Sequence, residues 1–310
     1  MVMDLRRAAI DRIGDWLSAR SLQRHRSHIG WRTAGKYTAY LERCRREAPM
    51  PMPADPDTAG AVATFERDGV ASLQWPGGAD IARRISNRLT EMEGSGTASW
   101  GAISEYGDRS WQGDIWIDFP ELELLFRDRL GSFLTGYFRA PFKLLYGKLY
   151  RSTHANTERR GSQLWHTDGG PGICINVMFY LHAVTPQHDA LEVLPWPLSL
   201  PILQARRAAI RSGAFAQAGR SGRQQIDAYY GQRIADGHAA HLVQPTGPEG
   251  LVVPFLNNTL HRGGYPEPGV ERTAMVFHCY PSHLPLDLER YRTRGLRKDM
   301  PFPQDPAMEF

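Results

Sequence analysis

The chain has 310 residues, 42% of them hydrophobic and 10% aromatic, enough apolar material for a substantial core in one large domain or two ordinary ones. A net charge of +4 rests on 37 basic residues that are nearly all arginine, since only Lys36, Lys143, Lys148 and Lys298 are lysines; the arginines are scattered, so nucleic acid is not an expected partner. Cys44, Cys174 and Cys279 are widely spaced and suggest neither a disulfide framework nor a zinc site, and with a charged start and no apolar run near a span of about 20 residues, the expectation is a cytoplasmic protein with no membrane partner.

Residues 4–20 place Ala9, Ile13, Trp16 and Leu17 on one helical face, and 34–47 do the same with Tyr37, Tyr40, Leu41 and Cys44. The run Pro51-Met-Pro-Ala-Asp-Pro56 stops the second helix. Residues 1–50 therefore read as a helical N-terminal extension whose apolar faces suit the body or a homo-oligomer, and 51–310 as the main domain. Asp57 is expected to cap a helix containing Val62 and Phe65, with a short strand from Val70 to Leu73 after it. A third helix carries Ile81, Ile85, Leu89 and Met92, and a longer one over 121–138 carries Leu122, Phe126, Leu130, Leu134 and Tyr137. Residues 94–118 show no clear period.

From Phe142 the texture changes to short β-type runs: 142–150, 162–167, 173–181, 191–194, 251–255 and 273–280. Gly or Pro punctuates most gaps, which points to an antiparallel sandwich or barrel and away from alternating βαβ units. The interruption, 196–249, includes a helix around Ile202 to Ile210 and is too long for a simple connection, so it reads as a lid. Within it Trp196, Tyr229 and Tyr230 are candidates for a small-molecule pocket, and Arg206, Arg207 and Arg211 for meeting an acidic substrate group.

Residues two apart on a strand share a face, about 6.6 Å apart along it, so His166 and Asp168 in Gln163-Leu-Trp-His-Thr-Asp168 can converge on a metal ion. In a chain with 11 histidines the pair alone says little. Downstream, His261 ends one expected strand, a Gly/Pro-rich loop follows, and Arg272 starts the next, which places the two side chains as neighbours on adjacent strands. Two histidines and one carboxylate occupy one face of an octahedral metal and leave the other face open, the arrangement of non-haem Fe(II) oxygenases.

Trp165-His166-Thr167-Asp168, Val184-Thr185-Pro186 leading to Ala190-Leu-Glu-Val-Leu-Pro195, and the spacing of His261 from Arg272 resemble the Fe(II)- and 2-oxoglutarate-dependent dioxygenases, within them the phytanoyl-CoA dioxygenase-like branch. A weaker likeness reaches upstream to Phe65-Glu-Arg-Asp-Gly-Val70, so the resemblance covers residues 60–285. It implies a mainly β fold with flanking helices, a double-stranded β-helix of the cupin-like jelly-roll kind. His166, Asp168 and His261 would be the catalytic iron ligands, and Arg272 would hold the distal carboxylate of 2-oxoglutarate bidentately. Met178 would lie beside that co-substrate, with Thr167, Asn176 and Lys148 as further cofactor contacts and Tyr150 facing the same pocket. Formal charges of Fe(II), one Asp, the 2-oxoglutarate dianion and one Arg sum to about zero, as a buried ionic site requires. The implied activity couples decarboxylation of 2-oxoglutarate by O2 to oxidation, of the hydroxylating kind, of a C–H bond in a small molecule of secondary metabolism. Asp168 stands where related halogenases have a small residue. The chain departs from the family after Leu194-Pro195, where Gly-Ser-His usually follows and Trp196-Pro-Leu198 stands here, which leaves the mouth of the site and the substrate open. The alternative is a metal-binding cupin-type protein without oxygenase activity.

Overall fold

Side-chain alternation along the strands sets the architecture of the computed structural model, which describes residues 31–105, 107–155, 158–168, 174–212 and 222–286. The strands are β1 (Asp108–Ser110), β2 (Phe142–Thr153), β3 (Ile175–Tyr180), β4 (Glu192–Val193), β5 (Val252–Leu256), β6 (His261–Arg262) and β7 (Glu271–Pro281). Five form an antiparallel sheet in the order β1-β2-β7-β3-β5. The pair β4-β6 forms a second layer, extended by single bridges from His261 to His166 and from Val193 to Val243. Two antiparallel layers wound in this way make a double-stranded β-helix with flanking helices.

One face of the large sheet, with Ile175, Val177, Phe179, Met275, Phe277 and Cys279, joins the helices in the main core. The other face, with Met178, Tyr180, Val253, Phe255 and Ala274, packs against Val184, Leu191 and Val193 of the second layer. All six residues of β3 are buried, because a strand covered on both sides reads as a continuous apolar run. In β2 the register shifts between Leu144, opposite Cys279, and Tyr146, opposite His278. One extra residue exchanges the faces of everything after it. Phe142 and Leu144 therefore lie in the helix-side core, as Leu149 does beyond the shift, and Lys148, Tyr150 and Ser152 face the space between the sheets.

The helices are α1 (Trp31–Glu47), α2 (Pro56–Asp68), α3 (Pro76–Gly94), α4 (Ile115–Asp118), α5 (Leu122–Arg127), α6 (Arg129–Phe138), α7 (Trp196–Arg211) and α8 (Gly222–Ala235). Phe65, Ile81, Ile85, Leu89, Phe126 and Phe133 are the apolar stripes that α2, α3, α5 and α6 lay on the sheet. Tyr40, Leu41 and Cys44 of α1 sink into the same core, with the Tyr40 hydroxyl donating to the Pro281 carbonyl at 3.0 Å. This part of the extension thus packs on its own chain, while the helix expected over 4–20 lies outside the described residues. Among the described residues no helix is long and apolar enough to cross a membrane.

Several local expectations are corrected. Asp55, not Asp57, caps α2, because Pro56 takes the first helical position and the Asp55 carboxylate accepts from the Thr58 N–H at 3.0 Å. The helix expected over 121–138 breaks at Asp128, whose backbone is not helical (ψ −145°) and whose carboxylate accepts from Trp75 Nε1 at 2.6 Å. The strand expected over 70–73 reduces to two bridges, Val70 to Phe255 and Leu73 to Val252. Residues 94–118 hold β1 and α4, the latter capped by the Asp114 side chain.

Gly250 sits where β5 approaches the start of α3, at φ +79°, and a Cβ there would stand 2.4 Å from the Gly78 carbonyl carbon. Gly250→Ala should cost about 2–4 kcal/mol, combining left-handed strain with overpacking. Urea unfolding should show a lower midpoint at unchanged slope; an unchanged midpoint would mean that α3 moves aside freely.

Candidate metal centre

Two chain segments are laced together to build the centre. His166 and His261 exchange backbone hydrogen bonds at 2.9 and 3.0 Å, and the Asp168 N–H donates to the Asn257 carbonyl at 2.9 Å. The strand expected over 162–167 is in fact a 3-10 turn, Gly161–Gln163, followed by this one bridge. His261 and Arg272 also differ from expectation: they lie on β6 and β7, which belong to different sheets. The loop between them crosses from one layer to the other, so they meet across the interior.

One ligand atom from each of His166, Asp168 and His261 lies within 4.8 Å of the others. His166 Nε2 is 3.5 Å from Asp168 Oδ1, and His261 Nε2 is 3.5 Å from Asp168 Oδ2. Metal bonds of about 2.1 Å at right angles place ligand atoms about 3 Å apart, so a slight contraction suffices to hold an ion. The tautomers suit it too. Nδ1 of His166 faces the Leu164 carbonyl at 2.6 Å, and Nδ1 of His261 faces the Thr259 carbonyl at 2.9 Å. A carbonyl only accepts, so both Nδ1 atoms carry protons, and the Nε2 atoms that point at Asp168 are the ones left to ligate.

Asn176, 1% exposed, donates from Nδ2 to Asp168 Oδ2 at 2.5 Å. It fixes the rotamer of the carboxylate ligand. Burial by itself pushes the Asp168 carboxyl up, but with no ion bound the neighbouring His261 and His166 imidazoles outweigh it and hold it below the usual carboxylate range.

Two cavities share His166 and Asp168. The first, about 310 Å³, lies between the sheets and runs from His166, Asp168 and His261 past Lys148, Tyr150, Asn176 and Met178 to Arg272. Tyr150 Oη donates to Met178 Sδ at 3.5 Å, and Lys148 Nζ lies 5.9 Å from the Tyr150 ring. Arg272 is 3% exposed. Its Nη1 donates to the His188 carbonyl at 3.0 Å and also to the Asp189 carbonyl, and its Nη2 donates to the Gly264 carbonyl at 3.3 Å and to Ser152 Oγ at 3.5 Å. Its buried Nε has no hydrogen-bond partner, and among the described residues no carboxylate pairs with the guanidinium. A buried cation held by neutral acceptors calls for an anion from outside the chain.

The second cavity, about 490 Å³, shares Ser162, His166 and Asp168 with the first and lies against the insertion, with Trp165, Thr167, Arg206, Ile226 and Tyr230 in its wall. Thr167, expected beside the co-substrate, is on this side, since residue 167 points opposite to its neighbours. Tyr230 is here as well. Trp196 and Tyr229 line neither cavity. Trp196 opens α7 directly after β4, and its ring drops into the cluster of Leu194, Ile202, Leu203, Ile234 and Leu260, while Tyr229 packs at the edge of that cluster under the Arg233 guanidinium. Both aromatics pack the insertion together. The side chains of Arg207 and Arg211 lie outside the description.

Ser152 and His278 were missed. Ser152 is buried and faces Arg272 in the β2–β7 register, and His278 faces Asn176 across β7 and β3. Both line the first cavity. Alternation could have found them, from Lys148 and Tyr150 on to 152 and from Arg272 on to 278.

No family model matches the chain, and no curated protein sequence matches it. Solved structures do. EctD from S. alaskensis with bound Fe superposes with a TM-score of 0.50 at 15% identity, over 76% of this chain and 81% of that one. AviO1 from Streptomyces viridochromogenes Tue57 gives 0.45 at 20% identity, over 75% and 99%. HygX from Streptomyces hygroscopicus, with nickel and 2-oxoglutarate bound, gives 0.46 at 16% identity, over 73% and 88%. At these identities the likeness to EctD is one of fold.

Proposed function

We propose that the chain is a non-haem Fe(II)- and 2-oxoglutarate-dependent oxygenase acting on a small molecule. The observation that carries this reading is the pairing, in one cavity, of a two-histidine, one-carboxylate centre with a buried guanidinium that no carboxylate among the described residues pairs with. A metal-binding protein of the same fold without oxygenase activity needs the first but has no use for the second.

His166, Asp168 and His261 would hold the iron, a donor set of two nitrogens and one oxygen that suits Fe(II). With Fe(II) bound, 2-oxoglutarate and O2 would supply the oxidising power for a C–H bond of the substrate, with release of succinate and CO2. Arg272 and Ser152 would receive the distal carboxylate of the co-substrate, the guanidinium through its charge and the Nε–H left unpaired, and the hydroxyl by one further donor. Met178 and Tyr150 form an apolar and polar wall beside it, and Lys148 adds a second positive charge. Asn176 keeps Asp168 from rotating away from the ion.

The second cavity would take the substrate, because it too is lined by His166 and Asp168 while Arg272 lines only the first. Its size falls within the range of roughly 300–1,000 Å³ common for small-molecule sites. The insertion forms its roof and is tied down at the metal strand: Ser199 Oγ donates to the Leu194 carbonyl at 2.7 Å and accepts from the Leu260 N–H at 3.0 Å, and Asp227 accepts from the Trp165 N–H at 2.6 Å.

Succinate formation from 2-oxoglutarate, dependent on added Fe(II) and O2, tests the proposal, and a small-molecule library scored by its stimulation of succinate would then find the substrate. Absence of Fe(II)-dependent 2-oxoglutarate binding would sink it. Asn176→Ala should lower Fe(II) affinity about 10- to 100-fold, the usual effect of releasing a ligand from its supporting hydrogen bond. Fe(II) titration by calorimetry checks this, and unchanged affinity would show that the strands alone hold Asp168.

A further inference from the structure

Arg206 is the basic group of the second cavity, and among the described residues nothing answers its charge. Its Nε is shut off from solvent without a hydrogen-bond partner, and among the described residues no hydrogen bond or ion pair reaches its guanidinium. What fixes it is the Tyr230 ring, with the guanidinium carbon 5.7 Å from the centroid. Tyr230 itself is 2% exposed and locked in the insertion's own cluster, so the cation is presented on a rigid platform. Helix α7 contains no acidic residue, and the single acid of α8, Asp227, is committed to the Trp165 N–H. The wall that Arg206 shares includes the apolar Leu164, Trp165 and Ile226, and the same cavity is lined by His166 and Asp168.

The structure assigns Arg206 as the anchor for an oxyanion group, carboxylate or phosphate, on the substrate, with an apolar body lying between that group and the metal centre. This rests on the proposed function for the meaning of substrate, but the site is defined by the cavity alone. A guanidinium with open donors, partly enclosed by apolar walls, selects an anion because its N–H groups are poorly hydrated there and a neutral ligand leaves them unmet. The same feature excludes cationic substrates, which Arg206 would repel at short range.

The test compares three matched probes, 3-phenylpropionate, 3-phenylpropyl phosphate and 3-phenylpropanol, by calorimetry on the full chain. Each is titrated once into protein without additions and once into protein loaded anaerobically with Fe(II) and 2-oxoglutarate. Wild type should bind at least one anion about 10- to 100-fold more tightly than the alcohol, the worth of a charge-assisted hydrogen bond in such a site. Which anion binds better tells a carboxylate substrate from a phosphate. Arg206→Leu should erase the preference and leave the alcohol as it was, and Arg206→Lys should keep part of it; if the Leu variant does not fold, Arg206→Gln replaces it. Equal binding of anion and alcohol, no binding of any probe, or a preference that survives in Arg206→Leu overturns the proposal. So does a preference that vanishes on loading, which would place the anions at Arg272. Failure of 2-oxoglutarate to bind in the loading step speaks instead against the proposed function, and leaves the Arg206 comparison in the unloaded protein intact.

Discussion

His261→Ala is expected to abolish turnover and to remove Fe(II) binding at any practical concentration, with His166→Ala and Asp168→Ala close behind. The three ligand atoms come from two segments that are held together by backbone hydrogen bonds, between residues 166 and 261 and between 168 and 257. Deleting one imidazole therefore does not release the other two ligands from their places, and the loss is that of the ligand itself. Where removal of a mere supporting hydrogen bond costs about 10- to 100-fold in metal affinity, removal of a ligand from a three-ligand set costs more. His261 should be the most sensitive, because it is 3% exposed, where water cannot easily replace the missing nitrogen, while His166 and Asp168 are only half-buried. The readout is the weak visible band that anaerobic Fe(II) and 2-oxoglutarate give together. The band should appear in wild type and be missing in all three variants; its survival in any of them would remove that residue from the ligand set.

Arg272→Leu should weaken 2-oxoglutarate binding by about 3–5 kcal/mol, the cost of stranding one partner of a buried charge pair. Fe(II) affinity in the absence of co-substrate should change little, since none of the hydrogen bonds of Arg272 goes to a metal ligand. Some loss of stability should accompany the change: the carbonyls of His188, Asp189 and Gly264 lose their donor, and part of the 188–189 turn is held from this side. Arg272→Lys keeps the charge but not the fork, and should recover only a fraction of the affinity. Titrating 2-oxoglutarate against the Fe(II)-loaded variants separates the outcomes. An unchanged co-substrate requirement in Arg272→Leu would move the anion clamp elsewhere in the cavity, with Lys148 the next candidate.

The local pattern by itself determined the helical stripes of Ile81, Ile85 and Leu89, the β texture from Phe142 onward, and the residue types of the centre: burial follows periodicity, and the chemistry of imidazole, carboxylate and guanidinium does not depend on how the chain arrives. Tertiary structure decided what depends on contacts distant in sequence. The shift between Leu144 and Tyr146 exchanges the two faces of β2, so which of its residues reach the cavity depends on a pairing with β7 more than 130 positions away. Arg272 and His261 were legible as partners, yet their placement in different sheets was not, because a loop rich in Gly and Pro can return the chain to the same layer or pass it to the other. Trp196 and Tyr230 show the same limit from the other side. Both are large aromatics of one insertion, equal candidates by composition, and the packing of α7 and α8 over the metal strand buries both in the insertion's core but brings only Tyr230 to the cavity wall as well.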